Sequence, residues 1–341
     1  MTRALRIHRA GAGVTVQDRG RPGYLASGLS RGGAADPLAL AEGAALLGQD
    51  PALAALELAA SMLEAVAAAP LRIALTGAPM RATLDGAALA WNAVHALPAG
   101  GVLVLSPSGN GVYGYLHLGG GVDAPLHLGS RSAHLVAGLG ARVQAGDALP
   151  WGEDPRPGQV GLTLDADPRF DGGTIRMVPS LQTELFAPED RARFEATTFH
   201  TDARANRMGA RLVPVGPGFA TDAGLSVLSE VIAPGDIQIT GDGTPFVLLV
   251  ECQTTGGYPR IGSVLPCDLP RVAQAGPGRA LRFRFVTLDE GIATERRAAA
   301  DRAGLRRHLR PLVRDPADIR DLLAYQLIGG VTAGDDLERT E

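Results

Sequence analysis

Glycine and proline set the terms on which this chain folds. With 45 Gly and 24 Pro among 341 residues, its apolar runs are short and closed by turn-forming residues. That pattern suits many short strands joined by turns rather than long helices. Hydrophobic residues make up 45% and aromatics only 4%, so a core of Ala, Val, Leu and Ile is expected. The length accommodates two domains or one large one.

The strongest strand signal is the run Pro245-Phe246-Val247-Leu248-Leu249-Val250-Glu251, apolar and bounded by turn residues. It feeds Cys252-Gln253-Thr254-Thr255-Gly256-Gly257-Tyr258-Pro259, where an amide, hydroxyls, paired glycines and a phenol arrive together. Paired glycines let backbone approach a ligand closely, and a rigid strand presenting a polar loop is a common form of binding site. A structural hairpin tied down by threonine hydroxyls fits the same residues.

Earlier in the chain, residues 5–10 alternate apolar and polar and read as a half-exposed strand. Residues 14–18 start another, followed by the polar turn Arg19-Gly20-Arg21-Pro22-Gly23-Tyr24. Asp36 and Pro37 carry helix-start chemistry, and Gly48 closes the helix after Leu47. Short strands alternate with turns through residues 54–149. Residues 151–173 are rich in Pro, Gly and Asp and read as a linker. A short helix is expected over 189–195. Beyond about residue 288 the composition turns to Ala, Arg and Leu at helical spacing, up to about Gln326. The predicted organisation is a first lobe over 1–150, a linker over 151–173, a second lobe over 174–290 and a helical extension over 291–341. A faint echo links Gln17-x-x-Gly20-x-x-Gly23-Tyr24 to Gln253-x-x-Gly256-Gly257-Tyr258. It suggests two related lobes, each offering one such turn to a shared cleft.

Charge and composition exclude several classes. The formal net charge is −4, which lacks the basic face that nucleic acid requires. Every basic side chain other than histidine is Arg, so no P-loop lysine, Schiff-base lysine or biotinylated lysine is available. Cys252 and Cys267 are too few for a zinc site or a disulfide framework. The N-terminus has no signal-peptide core and no apolar run reaches membrane-spanning length, so a cytoplasmic protein with no metal is expected. No His-Glu-x-x-His and no Gly-x-x-x-x-Gly-Lys-Ser/Thr pattern occurs. The groups on offer are Gln, Thr, Tyr, Arg and Asp, which orient and stabilise more readily than they attack. Such a set looks like half of a shared active site. Arg21, with Asp18 and Asp36 nearby in sequence, Arg131 within Gly129-Ser130-Arg131-Ser132, and Arg207 after Asn206 are candidate anion-binding groups. An Arg–Asp network pinning loops accounts for them equally well.

Taken in order, Val16-Gln17-Asp18-Arg19-Gly20-Arg21-Pro22-Gly23-Tyr24, Gly32-Gly33-Ala34-Ala35-Asp36, Gly119-Gly120-Gly121-Val122-Asp123, Leu128-Gly129-Ser130-Arg131-Ser132, Arg207-Met208-Gly209-Ala210-Arg211-Leu212 and Gln253-Thr254-Thr255-Gly256-Gly257-Tyr258-Pro259 resemble one family. It is the biotin-dependent carboxyltransferase family, also called allophanate hydrolase subunit 2-like. The resemblance runs from about residue 3 to 288. It implies a mainly β fold with two cyclophilin-like β-barrel lobes flanking a cleft. It implies a heteromer with a subunit 1-like (KipI-type) protein. In the 5-oxoprolinase branch, the C subunit acts with subunits A and B to open 5-oxo-L-proline to L-glutamate. ATP is used by the complex, with the partner as a place for it, and no cofactor is attached covalently. Gln253, Thr254, Thr255 and Tyr258 become the expected catalytic set, and Gln17, Asp18, Arg21, Asp36, Arg131 and Arg207 the expected substrate-binding set. Carboxyl or amide transfer on a urea-like substrate, or a non-catalytic KipA-type regulatory role, are the alternatives the resemblance carries. Glu251 departs from it, standing where an Asp is expected.

The loop reading has a direct consequence. Gln253→Ala or Tyr258→Phe should lower activity by up to the roughly 2.7–4 kcal/mol that one oxyanion donor contributes to a barrier. The melting temperature should stay close to wild type. A sharp fall in melting temperature with activity per folded molecule unchanged assigns the loop to structure alone.

Overall fold

The computed structural model of this chain describes residues 3–165, 167–219 and 227–313. Period-two burial builds its first lobe. In Leu63–Ala67 every second side chain is buried, as expected of a strand with one face on a core. One sheet has six strands, in the order Ala148–Pro150, Ala4–Ala10, Leu63–Ala67, Val102–Pro107, Met80–Leu84, Ala87–Ala88. The other has five: Val14–Gln17, Ala55–Ala59, Tyr113–Leu118, Leu71–Gly77, Val94–Leu97. Leu5, Ile7, Leu56, Leu58, Leu75 and Leu103 fill the space between them.

Two strands of the five-stranded sheet, Leu71–Gly77 and Tyr113–Leu118, are buried on both faces. The reason is helix α1 (Pro37–Leu47), which lies across the outer face. Its boundaries follow from its sequence. The Asp36 carboxylate caps the Ala39 N–H at 3.1 Å, Pro37 occupies the first turn, and Gly48 ends the helix with φ +63°. Thr76 on the sheet donates to Ala39 O at 2.9 Å. Gly43 makes room for the buried His117 ring, because a Cβ there would lie 2.3 Å from the imidazole.

The second lobe is a closed barrel of seven strands: Gly173–Val178, Arg260–Val264, Asp236–Ile239, Pro245–Leu248, Gly209–Pro214, Phe199–Thr201 and Ala280–Phe285. One pairing, Gly173–Val178 with Ala280–Phe285, is parallel. Its core corrects the expectation of an aliphatic interior throughout. Phe194, Phe199, Phe219 and Phe283 pack together, with Phe194 and Phe199 centroids 4.8 Å apart. Helix α2 (Pro188–Ala196) delivers Phe194 into this cluster. The scarce aromatics are thus concentrated where they bury most area.

Two barrels were expected, and the described residues contain one. The first lobe is two separate sheets. The chain passes between them through sharp corners, as at Ala60 with φ +43°, instead of along strands that bend from one sheet into the other. Helix α3 (Leu269–Gln274) lies at the junction of the lobes. Helix α4 (Leu288–Gly304) opens on a capping box of Thr287 and Glu290. It ends well before Gln326. The chain then turns back, and Arg310–Pro311 pairs with Leu162–Thr163, while Leu305 and Leu309 pack on Leu46 and Leu47 of α1. Residues 314–341, the rest of the expected extension, lie outside the described residues.

His117 makes this packing sensitive to acid. Burial pulls its imidazole from the ordinary 6.5 down to about 3. The unfolded chain therefore takes up the proton first, so stability is full above pH 6.5 and is lost as pH falls toward 3. The slope from one such group is about 1.4 kcal/mol per pH unit. Urea titrations between pH 7 and 4 should show His117→Gln losing about that much of the wild-type acid dependence.

Candidate functional site

The first polar turn is organised by Asp18. Its carboxylate accepts the Gly20 N–H at 2.7 Å, the Ser130 hydroxyl at 2.6 Å, the Arg131 N–H at 2.7 Å and the Ser132 hydroxyl. This set ties residues 18–20 to residues 130–132. Gly20, at φ +75°, is required, because a Cβ would sit 2.5 Å from Arg31 O. Arg21 is 1% exposed. It donates to the carbonyls of His127, at 3.3 Å, and Ser132. Arg131 pairs with Asp123 at 2.7 Å and donates to Ala124 O. Gln17 is fully buried, donating to Thr15 Oγ1 at 3.0 Å and Ala133 O at 3.2 Å. Ser30 and His134 meet at 2.9 Å. His134 Nδ1 accepts the Ala137 N–H at 3.3 Å, which leaves the proton on Nε2. His134 therefore donates to Ser30 and does not activate it.

The pinned loop is pressed against the second lobe. The Gly32 N–H donates to Val250 O at 3.0 Å. Arg207 reaches across with its whole guanidinium: Nε to Glu251 at 2.7 Å, Nη2 to Gly33 O at 2.6 Å, and Nη1 to Glu57 of the first lobe. Burial alone would lower the Arg207 pKa; Glu57 and Glu251 more than reverse that and raise it. Glu57 also accepts the Tyr115 hydroxyl at 2.6 Å and the Ala35 N–H at 2.8 Å. Asp36, besides capping α1, accepts Arg169 at 2.7 Å and Gln274 of α3 at 2.8 Å. Arg169 in turn forms a fork with Glu42 at 2.9 and 2.7 Å. Asp36 and Arg207 are therefore joined into one buried network spanning both lobes.

Immediately beyond Glu251 the chain reaches a cavity of about 420 Å³, within the usual range for small-molecule sites. Gln253, Asn206, Met208, Arg211, Gln238 and Cys252 contribute to its lining. Gln253 and Thr255 are exposed, Thr254 is buried and Tyr258 is 45% exposed. Thr255–Gly256 pairs with Glu230–Val231, forming a small two-stranded flap. The first-lobe loop comes up to this flap: a Cβ on Gly28 would lie 4.0 Å from Thr254 Oγ1. A broader hollow of about 700 Å³ is lined by Ala4, Val66, Ala67 and similar small residues, with Arg6 as its one charged group. It lacks the converging polar groups of the Gln253 cavity. Arg211 lies 2.9 Å from Asp202, which also holds Arg204 at 2.8 Å. Burial pushes the Cys252 thiol up to about 12, so this sulfur is not a nucleophile at neutral pH.

Residues 27–285 match the family described as carboxyltransferase domain, subdomain A and B. The chain belongs to the carboxyltransferase domain family. It is 34% identical over 292 residues to the C subunit of the 5-oxoprolinase of Escherichia coli, an alignment covering 84% of this chain and 93% of that protein. Among solved structures, TTHA0988 superposes with a TM-score of 0.75 at 31% identity, covering 83% of this chain. This chain spans 56% of that one. The K. lactis urea amidolyase has the same fold, with a TM-score of 0.79 at 23% identity over 93% of this chain and 21% of that one.

Within this carboxyltransferase-domain fold, the sequence-predicted residues separate into two groups. Gln17, Asp18, Arg21 and Asp36 are buried, and Arg131 and Arg207 are half-buried, all held in bonds within the protein. Of the others, Gln253 lines the cavity, Thr255 and Tyr258 are exposed further along the same loop, and Thr254 is buried. Reading the sequence missed Glu57, Gln274 and Gln238. Glu57 sits inside a strand of otherwise apolar residues, Ala55–Ala59, and a lone carboxylate there was the available signal. Gln238 alternates with Ile237 and Ile239 and so reads as solvent-facing. Nothing local marks Gln274.

The Arg207 arrangement is testable. Arg207→Met leaves Glu57 and Glu251 unpaired between the lobes and should cost about 3–5 kcal/mol in denaturant unfolding. Arg207→Lys should recover only part of it, since an ammonium cannot fork to two carboxylates and a carbonyl.

Proposed function

We propose that this chain is the C subunit of an ATP-dependent 5-oxoprolinase, opening 5-oxo-L-proline to L-glutamate together with subunits A and B. The observation that carries the reading is the near full-length relation to the C subunit of 5-oxoprolinase. The chemistry of the cavity supports it. Lactam opening breaks the ring C–N bond. Water's oxygen ends on the carbonyl carbon, and the ring nitrogen leaves as an amine. Negative charge grows on the lactam oxygen, and fixed donors at that point are usually the largest catalytic contribution.

In this reading Gln253, Thr255 and Tyr258 surround the substrate amide, and Thr254 holds the loop from below. Arg211 and Arg204, sharing Asp202 at the cavity wall, take the substrate carboxylate. Arg21, Arg131 and Arg207 act instead as supports, because their bonds to backbone carbonyls and carboxylates tie loops and lobes together. ATP is consumed by the assembled enzyme, in keeping with the cytoplasmic setting expected from the sequence. The phosphoryl chemistry falls to the partner subunits, since this chain offers no glycine-rich phosphate loop with its lysine.

The assay combines the purified chain with subunits A and B, ATP and 5-oxoproline. The expected outcome is glutamate release matched by ADP formation and abolished when this chain is omitted. Release of product from urea but not from 5-oxoproline would move the assignment to the urea-directed branch.

A further inference from the structure

We infer that Gln238 reads the amide edge of the ligand and selects for a cyclic amide. The inference rests on the lactam reading above and names the group that makes it specific. Gln238 lies on the barrel strand Asp236–Ile239. Ile237 and Ile239 are 0% and 2% exposed and fill the barrel, so alternation turns Gln238 to the outer face. Residues 253–257 then cross over it, leaving it 7% exposed. Its Nε2 has no hydrogen-bond partner, although buried polar side-chain atoms are in large majority paired. The loop above is shaped around this amide: a Cβ at Gly256 would lie 2.5 Å from Gln238 Nε2 and 3.0 Å from Ile232 Cδ1. Gly256 thus leaves the space that the carboxamide occupies.

Gln238 lines the same cavity as Gln253, Asn206 and Arg211, with its Nε2 covered by the loop at Gly256. Two of these neighbours are already engaged. Asn206 Oδ1 accepts the Met208 N–H at 2.8 Å and its Nδ2 donates to Arg204 O at 3.3 Å. Arg211 donates to Asp202 at 2.9 Å. Gln238 brings to the cavity wall a buried donor with bonding capacity unused.

A carboxamide carries an N–H and a C=O side by side. Its complement is a group with C=O and N–H on one edge, so that two hydrogen bonds form together. A five-membered lactam is such a group, because the ring locks its amide cis. An ordinary peptide bond is trans and turns the two groups to opposite sides. Gln238 therefore favours a lactam over a linear peptide, and its bond to the carbonyl strengthens as that oxygen gains charge. A site built to hydrogen-bond a substrate group discriminates strongly against analogues lacking it.

The test uses the complete complex with Gln238→Met, which keeps the length and loses the amide, and Gln238→Glu, which keeps an acceptor and loses the donor. KM for 5-oxoproline should rise by about tenfold in Gln238→Glu, the loss expected for one hydrogen bond, and by more in Gln238→Met, which loses two. The melting temperature of Gln238→Met should hold or rise, because an unpaired buried amide is destabilising. Wild type should reject N-methyl-5-oxoproline, and Gln238→Met should lose most of that preference. An unchanged KM with an unchanged preference overturns the inference, as does a fall in melting temperature with KM intact. If the wild-type complex releases no glutamate, the 5-oxoproline assignment fails separately. Calorimetric binding of 5-oxoproline and urea to the full-length chain then decides Gln238. Equal binding by wild type and Gln238→Met, or no binding to wild type, sinks it, whereas binding lost in Gln238→Met supports it.

Discussion

Three charges that cannot stand alone hold the two lobes in register. Arg207 comes from the second lobe, Glu57 from the first, and Glu251 from the end of a barrel strand, with side-chain exposures of 12%, 0% and 4%. Removing any one leaves an ion in a medium that solvates it poorly. In the observed arrangement of the lobes the guanidinium meets both carboxylates and Gly33 O. Hydrophobic contact alone does not define orientation so sharply, because apolar surfaces are non-directional. Through Tyr115 and Asp36 the same network runs into α1, Arg169 and Gln274, so the helix covering the first lobe and the helix at the junction share a single polar framework.

That framework sets the geometry of the cavity next to it. Arg207 is flanked by Asn206 and Met208, and Glu251 is followed by Cys252 and Gln253; all four line the cavity. These two lining segments are thus fastened one or two residues away from the side chains they present to the cavity. Such anchoring is how a site holds groups within the tolerance that orientation demands. Glu251 is informative here. Its carboxylate meets Arg207 Nε at 2.7 Å, so the longer side chain at this position is spent on the junction between lobes.

Two glutamines near this junction are bonded very differently. In the scaffold, Gln274 uses its amide fully, accepting the Val112 and Tyr113 N–H groups and donating to Asp36 and Tyr113 O. At the cavity, Gln238 leaves its donor unmet. Two glutamines of nearly equal burial thus serve structure in one place and recognition in the other. The cavity lining offers amide and guanidinium donors, and burial holds the Cys252 thiol protonated. In the proposed reading the chain binds and orients the substrate, and the assembled enzyme supplies the remaining chemistry.

Much of this was legible in the residues. Asp36, Pro37 and Gly48 bound α1, because capping and left-handed turns are decided by a few neighbouring atoms. Alternation in Leu63–Ala67 and the apolar run ahead of Gln253 marked strands for the same local reason, and the ordered motifs pointed to the family. The tertiary structure decided the rest. Asp18, Arg21 and Arg207 look alike as charged residues beside glycines; only the partners brought in from residues 57, 132 and 251 show how each charge is held. Gln238 reads as an outward-facing residue on an alternating strand, and only the loop folded over it makes it buried. Local sequence carries backbone preference and periodicity. Whether a polar side chain meets water, a partner or a ligand depends on chain segments far away in sequence, and that is settled by packing.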